Sequence, residues 1–251
     1  MDLGLAGRTY VVTGGTRGLG RATAEVLVAE GANVVVSSRS QETVDVAVAA
    51  LGGQAVGVAV DNADPDAPEA LVAAARETFG GLHGALVSVG GPPAGPIVGR
   101  TEQEWRGAFE SVFLGGLRVA TTVAERLDEG GSIAMVLSTS AKMPVPGLGI
   151  SNGLRPGLAM AAKSLADELG PRGIRVNGLL PGRVDTERVQ ELDALSGDAA
   201  ATKDKHLQSI PLRRYGKPEE FGRAAAFLLS PASGYLTGVM LPVDGGLTRG
   251  L

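Results

Sequence analysis

Val11-Val12-Thr13-Gly14-Gly15-Thr16-Arg17-Gly18-Leu19-Gly20 joins an apolar run to glycines at 14, 15, 18 and 20. That combination suits phosphate binding. A turn this tight needs residues without a Cβ, and bare main chain lets a ligand come close. The run ending at Thr13 predicts a buried strand, and Leu19, Ala22, Val26 and Ala29 recur at helical spacing over 18–30. The helix aims unpaired N–H groups and the positive end of its dipole into the turn, where a pyrophosphate fits. A glycine cluster alone also occurs in ordinary loops. Between a strand and a helix at the start of an alternating chain it points to a dinucleotide site, with Gly14, Thr16, Arg17, Gly18, Leu19 and Gly20 as the expected contacts.

The elements that must carry this turn recur along the chain. Strand-like runs occur at 8–13, 33–38, 55–60, 85–89, 132–137, 174–180 and 239–243, rich in Val, Ile and Leu with little alternation, as strands covered on both faces should be. Helical patterns separate them. Ser40 is a plausible N-cap, Thr101-Glu102-Gln103-Glu104 spells a capping box before Trp105, and Gly170-Pro171 is a stop signal. Pro218 suits a first helical position. The alternation predicts an α/β Rossmann fold: a doubly wound, seven-stranded parallel sheet with helices on both faces. No composition break or repeat divides residues 1–251, so one domain is expected. The least regular stretch, 183–212, is polar and lacks a strand, which suggests an excursion over the site.

Composition narrows the function classes. The chain has 251 residues, 44% hydrophobic and 20% charged, enough for a sizeable globular core. A net charge of −4 with no Lys/Arg stripe offers no nucleic-acid footprint. There is no cysteine, so disulfide and thiolate chemistry are excluded; a cytoplasmic location is expected, and no metal site. The N-terminus lacks a basic segment followed by an apolar run, and no apolar stretch is long enough to span a bilayer.

The second strand ends Val36-Ser37-Ser38-Arg39, where an acid usually meets the adenosine ribose; the nearest acid is Glu42. A cation there can hold a 2′-phosphate by a charge-assisted fork, and Arg17 adds a second charge. NADP(H) is therefore favoured over NAD(H). The alternative is that both arginines are solvated surface residues.

These residues together resemble the short-chain dehydrogenase/reductase family, in particular its 3-oxoacyl-carrier-protein-reductase-like members, over nearly the whole chain. Thr13-Gly14-x-x-x-Gly18-x-Gly20 resembles the cofactor turn, and Asp61-Asn62 falls where the family places an Asp that meets the adenine. Leu86-Val87-Ser88-Val89-Gly90-Gly91 stands where an Asn-Asn-Ala-Gly motif belongs, without its asparagines. Asn177 and Pro181-Gly182-Arg183-Val184 resemble the segment that closes over the nicotinamide; Thr237-Gly238 and Val243-Asp244-Gly245-Gly246 resemble the C-terminal end. The resemblance implies cofactor contacts at Ser38, Arg39, Asp61, Asn62, Ser88, Gly90, Arg155, Pro181, Gly182 and Val184. It also implies a homotetramer or homodimer packed through helices over 101–127 and 152–169 and through the C-terminal strand.

In that family a Ser orients the reacting oxygen, a Tyr carries the proton, and a Lys holds the ribose and depresses the phenol's pKa. Ser138 matches the Ser; the Tyr position is Ser151, the Lys position Arg155 and a helical Asn position Val112. Ser151 and Arg155 lie one helical turn apart, so both can face one site, and Ser138, Ser151 and Arg155 are the expected catalytic residues. A Ser hydroxyl is far harder to ionise than a phenol with a pKa of about 10. Arg155 retains charge but does not readily shuttle protons. Substitutes for the missing acid are Tyr215 and His206, each more simply read as a loop residue, and His83, more simply read as packing; Lys142 could replace the missing ammonium but is more simply an exposed loop lysine. The 90–95 segment, Gly90-Gly91-Pro92-Pro93-Ala94-Gly95, is stiff and could floor a pocket. The expectation is an NADP(H)-dependent oxidoreductase acting on a small-molecule carbonyl or alcohol. The alternatives are a dinucleotide-binding protein without turnover and, third, non-redox chemistry on the same fold.

Overall fold

The structure, a computed structural model, describes residues 2–127, 130–195 and 197–250. Seven strands form one sheet: β1 (Thr9–Val12), β2 (Asn33–Ser38), β3 (Ala55–Ala59), β4 (Gly84–Val87), β5 (Gly131–Val136), β6 (Ile174–Pro181) and β7 (Met240–Val243). Their order is β3-β2-β1-β4-β5-β6-β7, and every pairing is parallel. This is the expected Rossmann-like arrangement. The order reverses between β1 and β4, opening a crevice at the strands' carboxyl ends, where α/β sheets bind ligands.

Successive strand side chains point to opposite faces, and both faces are covered. Val11, Val35, Ile133 and Val176 pack on one face with Leu71, Val119 and Leu158. Those last three belong to α3 (Ala67–Phe79), α5 (Gly115–Arg126) and α6 (Gly149–Leu169). Tyr10, Val12, Val34 and Val36 pack on the other face with Leu27, Ala47 and Phe221. These come from α1 (Gly18–Ala29), α2 (Gln41–Leu51) and α9 (Pro218–Leu229). Ser40 caps α2, Pro218 opens α9, and Thr101 and Glu104 form the reciprocal box of α4 (Glu102–Ala108).

Two stretches differ from the sequence reading. The helix expected over 101–127 is interrupted by a π-helical turn at Phe109–Leu114, between α4 and α5. Its exit is crowded: a Cβ on Gly115 would stand 2.3 Å from the Asn62 carbonyl oxygen, so the helix passes against that loop only at a glycine. The 183–212 excursion is also more regular than its composition suggests. It carries α7 (Glu187–Ala194) and α8 (Ala199–Ser209), held by polar contacts that no apolar periodicity announces.

Candidate functional site

The glycine turn sits at the β1–β4 switch point. Gly14 and Gly18 adopt left-handed backbone, with φ of 58° and 54°, which glycine alone adopts freely. A Cβ on Gly20 would lie 2.3 Å from the Gly14 carbonyl oxygen. Thr13 fixes the turn: its hydroxyl donates to the Ser88 carbonyl at 2.9 Å and accepts from the Ser88 N–H at 2.8 Å. The Gly15 N–H donates to the Ser37 carbonyl at 3.0 Å. No side chain caps the start of α1, and no acid lies in its first turn. An uncapped positive helix end behind bare main chain fits the pyrophosphate of a dinucleotide.

At the end of β2, the Ser38 hydroxyl is 2.8 Å from that of Thr43. Arg39 is exposed and forms no ion pair among the described residues. Arg17 is exposed as well, its Nη1 4.0 Å from Glu191. Asp61 is exposed and accepts the Ala63 N–H at 3.0 Å. Asn62 is half-buried beside Gly115.

A residue the sequence reading missed, Ser140, links Ser138 to Ser151, while Arg155 is held separately on Val136. Ser138 stands at the carboxyl end of β5, and its hydroxyl oxygen accepts the Ser140 N–H at 3.1 Å. Ser140 and Ser151 hydroxyls lie 2.9 Å apart, both buried. Arg155, one turn further along α6, is 4% exposed and donates from Nη1 to the Val136 carbonyl at 2.9 Å. Its Nε is buried without a hydrogen-bond partner, and it has no carboxylate partner among the described residues. Burial pushes this guanidinium down to about 10. Ser138 thus keeps a hydroxyl proton free to donate, whereas Ser151 is held by Ser140. Val112 is buried in the π-helical turn.

The 90–95 segment is stapled to the loop after β5. Gly95 donates to Gly147 at 2.6 Å and accepts from Gly149 at 2.8 Å, bridging Gly95 to Leu148. On the opposite rim, α7 crosses the crevice. Thr186, buried at its N-cap, lies 3.7 Å from where a Gly18 Cβ would stand. Arg188 Nη2 donates to the Pro92 carbonyl at 2.9 Å, its guanidinium beside Gly91. Neither Thr186 nor Arg188 was singled out from sequence; a Thr two residues after Val184 was the available signal.

Pro181 ends β6, and Gly182 and Val184 lead from it into this cover. Val184 bridges to Gly216, and a Cβ on Gly182 would meet Asp244 at 2.6 Å. The tyrosines, His83 and Lys142 stand as follows. Tyr215 is buried and donates to Asp193 at 2.9 Å, with burial and that carboxylate raising its pKa. Tyr10 donates to the Leu229 carbonyl and Tyr235 is fully exposed. His83 Nδ1 accepts the Thr9 N–H at 3.0 Å, a packing role. Lys142 is exposed at the mouth after Ser138. No helix among the described residues is long and apolar enough to cross a membrane, and no cluster of His, Cys, Asp and Glu could hold a metal ion.

Residues 14–248 match the family model described as enoyl-(acyl carrier protein) reductase. The 2,5-dichloro-2,5-cyclohexadiene-1,4-diol dehydrogenase of Sphingobium indicum is 37% identical over 97% of this chain and 98% of its own length. Human dehydrogenase/reductase SDR family member 4 is 34% identical, over 96% of this chain and 88% of its own. Among solved structures, L-sorbose reductase from Gluconobacter frateurii, complexed with NADPH and L-sorbose, superposes with a TM-score of 0.94 over 100% of both chains at 29% identity. Sheet order and relatives agree: the chain belongs to the short-chain dehydrogenase/reductase family, NAD(P)-dependent oxidoreductases of alcohols and carbonyls.

Proposed function

We propose that residues 1–251 form one NADP(H)-dependent oxidoreductase domain acting on a small-molecule carbonyl or alcohol, with an atypical site of Ser138, Ser151 and Arg155. One observation carries this reading. The uncapped, glycine-lined start of α1 and the free donor of Ser138 open on the same crevice between β1, β4 and β5. A bound nicotinamide supplies hydride exchange with a carbonyl carbon. The chain supplies the rest. Gly14, Thr16, Gly18, Leu19 and Gly20 receive the pyrophosphate on backbone N–H groups. Asp61, Asn62, Ser88 and Gly90 flank the adenosine and ribose, and Pro181, Gly182 and Val184 close over the ring. Ser138 donates to the reacting oxygen; Ser151, through Ser140, holds the loop that presents it. Arg155 places a fixed positive charge beneath that oxygen without moving a proton. L-sorbose reductase, whose structure holds NADPH, supports the cofactor choice.

The deciding experiment is NADPH consumption against a panel of ketones, aldehydes and sugars. Ser138→Ala removes this free donor and should lower turnover about 10²-fold, the usual effect of deleting a hydrogen bond to a developing oxyanion. Unchanged turnover in that variant would overturn the role given to Ser138. The second reading, dinucleotide binding without turnover, draws on the Ser151–Ser140 and Arg155–Val136 contacts, which occupy both substituted positions. It predicts NADPH binding with no consumption on any substrate.

Arg39 carries the preference for the 2′-phosphate. Its exposed, unpaired guanidinium follows β2 where a ribose-binding acid would otherwise stand. Arg39→Asp removes a charge-assisted bond and adds repulsion. NADPH affinity should fall about 10- to 100-fold while NADH affinity is kept, from a bond of about 1.5–3 kcal/mol. Parallel titrations with the two reduced dinucleotides measure this.

A further inference from the structure

Four polar side chains from four elements converge where the excursion leaves the sheet. Asp193, near the end of α7 and 4% exposed, accepts from Arg183 Nη1 at 2.9 Å and from the Tyr215 hydroxyl at 2.9 Å. Arg183 directly follows Gly182, and its Nη2 lies 2.7 Å from His206 Nε2 on α8. Main chain pins the same place: Gly216 donates to Arg183 at 2.9 Å, and Asp185 donates to Gly216 at 2.8 Å. We infer that Asp193, acting through Arg183, positions the 181–186 segment over the crevice, and that His206 makes this positioning depend on pH. The inference rests on the cofactor reading above.

The chemistry follows from what each group can donate. A guanidinium has only donors, so His206 Nε2 must offer its lone pair, which requires the neutral ring protonated on Nδ1. A second ring proton would set an N–H against the N–H of Arg183. Every charged group facing the ring bears on this: Arg183 from the β6 extension, Asp193 from α7, and Lys205 on its own helix. Asp193 favours the protonated ring from 4.0 Å, but burial and the two cations outweigh it and hold the imidazole below its ordinary value. The unfolded or opened chain therefore binds the extra proton more readily. The closed arrangement is fully stabilised above a pH of about 6.5 and loses that stabilisation as pH falls below it.

A small cavity adjoins this cluster. About 180 Å³ lies between α7 and α8, lined by Asp185, Gln190, Asp193, Lys203 and Tyr215. When the Arg183–His206 bond fails, α8 is held more loosely to the β6 extension, by the 4.0 Å Lys203–Asp185 pair and by Lys203 over the Tyr215 ring. The far end of α7, where Thr186 stands by Gly18 and Arg188 reaches Pro92, is then anchored by fewer contacts. Asp193 and Arg183 are positioning residues in this scheme, since neither touches the crevice turn.

NADPH fluorescence titrations at about pH 7.5 and about pH 5.5, on either side of the imidazole value, test it. His206→Gln keeps an acceptor for Arg183 but cannot gain a proton, and a partly exposed helix position tolerates it. The wild type should lose about tenfold more affinity on acidification than His206→Gln, since the 2′-phosphate titrates identically in both. Asp193→Asn should weaken binding about tenfold at both values. Hydrogen-exchange protection of 187–195 and 197–209 without cofactor, taken relative to the intrinsic exchange rate at each pH, should fall at the lower pH in wild type and not in His206→Gln. Parallel pH responses in the two proteins, by both measurements, would overturn the inference. Absence of dinucleotide binding at either pH would overturn the cofactor reading instead, leaving hydrogen exchange to judge the latch.

Discussion

Replacing Gly20 by alanine is expected to abolish useful NADPH binding, lowering affinity by about 10²-fold or more. The added Cβ would stand 2.3 Å from the Gly14 carbonyl oxygen and 2.8 Å from its carbon, both backbone atoms. Backbone cannot swing aside as a side chain would, so the turn itself must open. It is fastened on two sides, by Thr13 to Ser88 and by Gly15 to Ser37, and opening it strains both. The stability cost should be about 1–3 kcal/mol, as for other overpacked sites. Gly53→Ala is the control, because nothing lies within 4 Å of its Cβ and its φ is not left-handed. Dinucleotide titration and urea unfolding of both variants measure the effect. Equal affinity in Gly20→Ala and wild type would remove the turn from the binding site.

Arg155→Met should move stability and function in opposite directions. Arg155 is buried with one hydrogen bond, no carboxylate partner and an orphaned Nε. Desolvating a guanidinium costs several kcal/mol, and one carbonyl does not offset it. Methionine has similar length and no charge. Its drawback is the Val136 carbonyl left without a donor, at about 1–3 kcal/mol. The larger desolvation term wins, so the ligand-free protein should gain about 1–3 kcal/mol. Turnover should fall about 10²-fold or more with the loss of a fixed charge beneath the reacting oxygen. Thermal unfolding with and without NADPH, alongside turnover, separates the two effects. A destabilised ligand-free variant would show that Arg155 is structural, held for Val136 rather than for a ligand.

The sheet was legible in sequence because each buried strand is a short Val/Ile/Leu run bounded by a turn, and burial on both faces leaves little alternation to misread. The glycine turn was legible for a related reason: its backbone demands are written in residue type. Ser140 was not. Its part depends on a hydroxyl meeting Ser151 across 11 residues, and serine at that place carries no periodic or turn signal. The two helices of 183–212 were hidden likewise. α8 buries no residue, and α7 buries only Asp193. Their order comes from Arg183, Tyr215 and His206, which are distant along the chain. The guanidinium of Arg155 was placed at the right turn of α6, but its burial against Val136 follows from β5 passing beneath, a tertiary fact.

The Gly95–Leu148 bridge has a consequence for redesign. Because main-chain hydrogen bonds join the two loops on that rim, its outline is set by backbone length, and side-chain exchange there will alter texture more than shape. The facing rim is made of helices fastened by side chains, at Arg188, Asp193 and His206. Libraries aimed at new substrates should therefore concentrate their diversity on that side, where a single substitution can shift a wall.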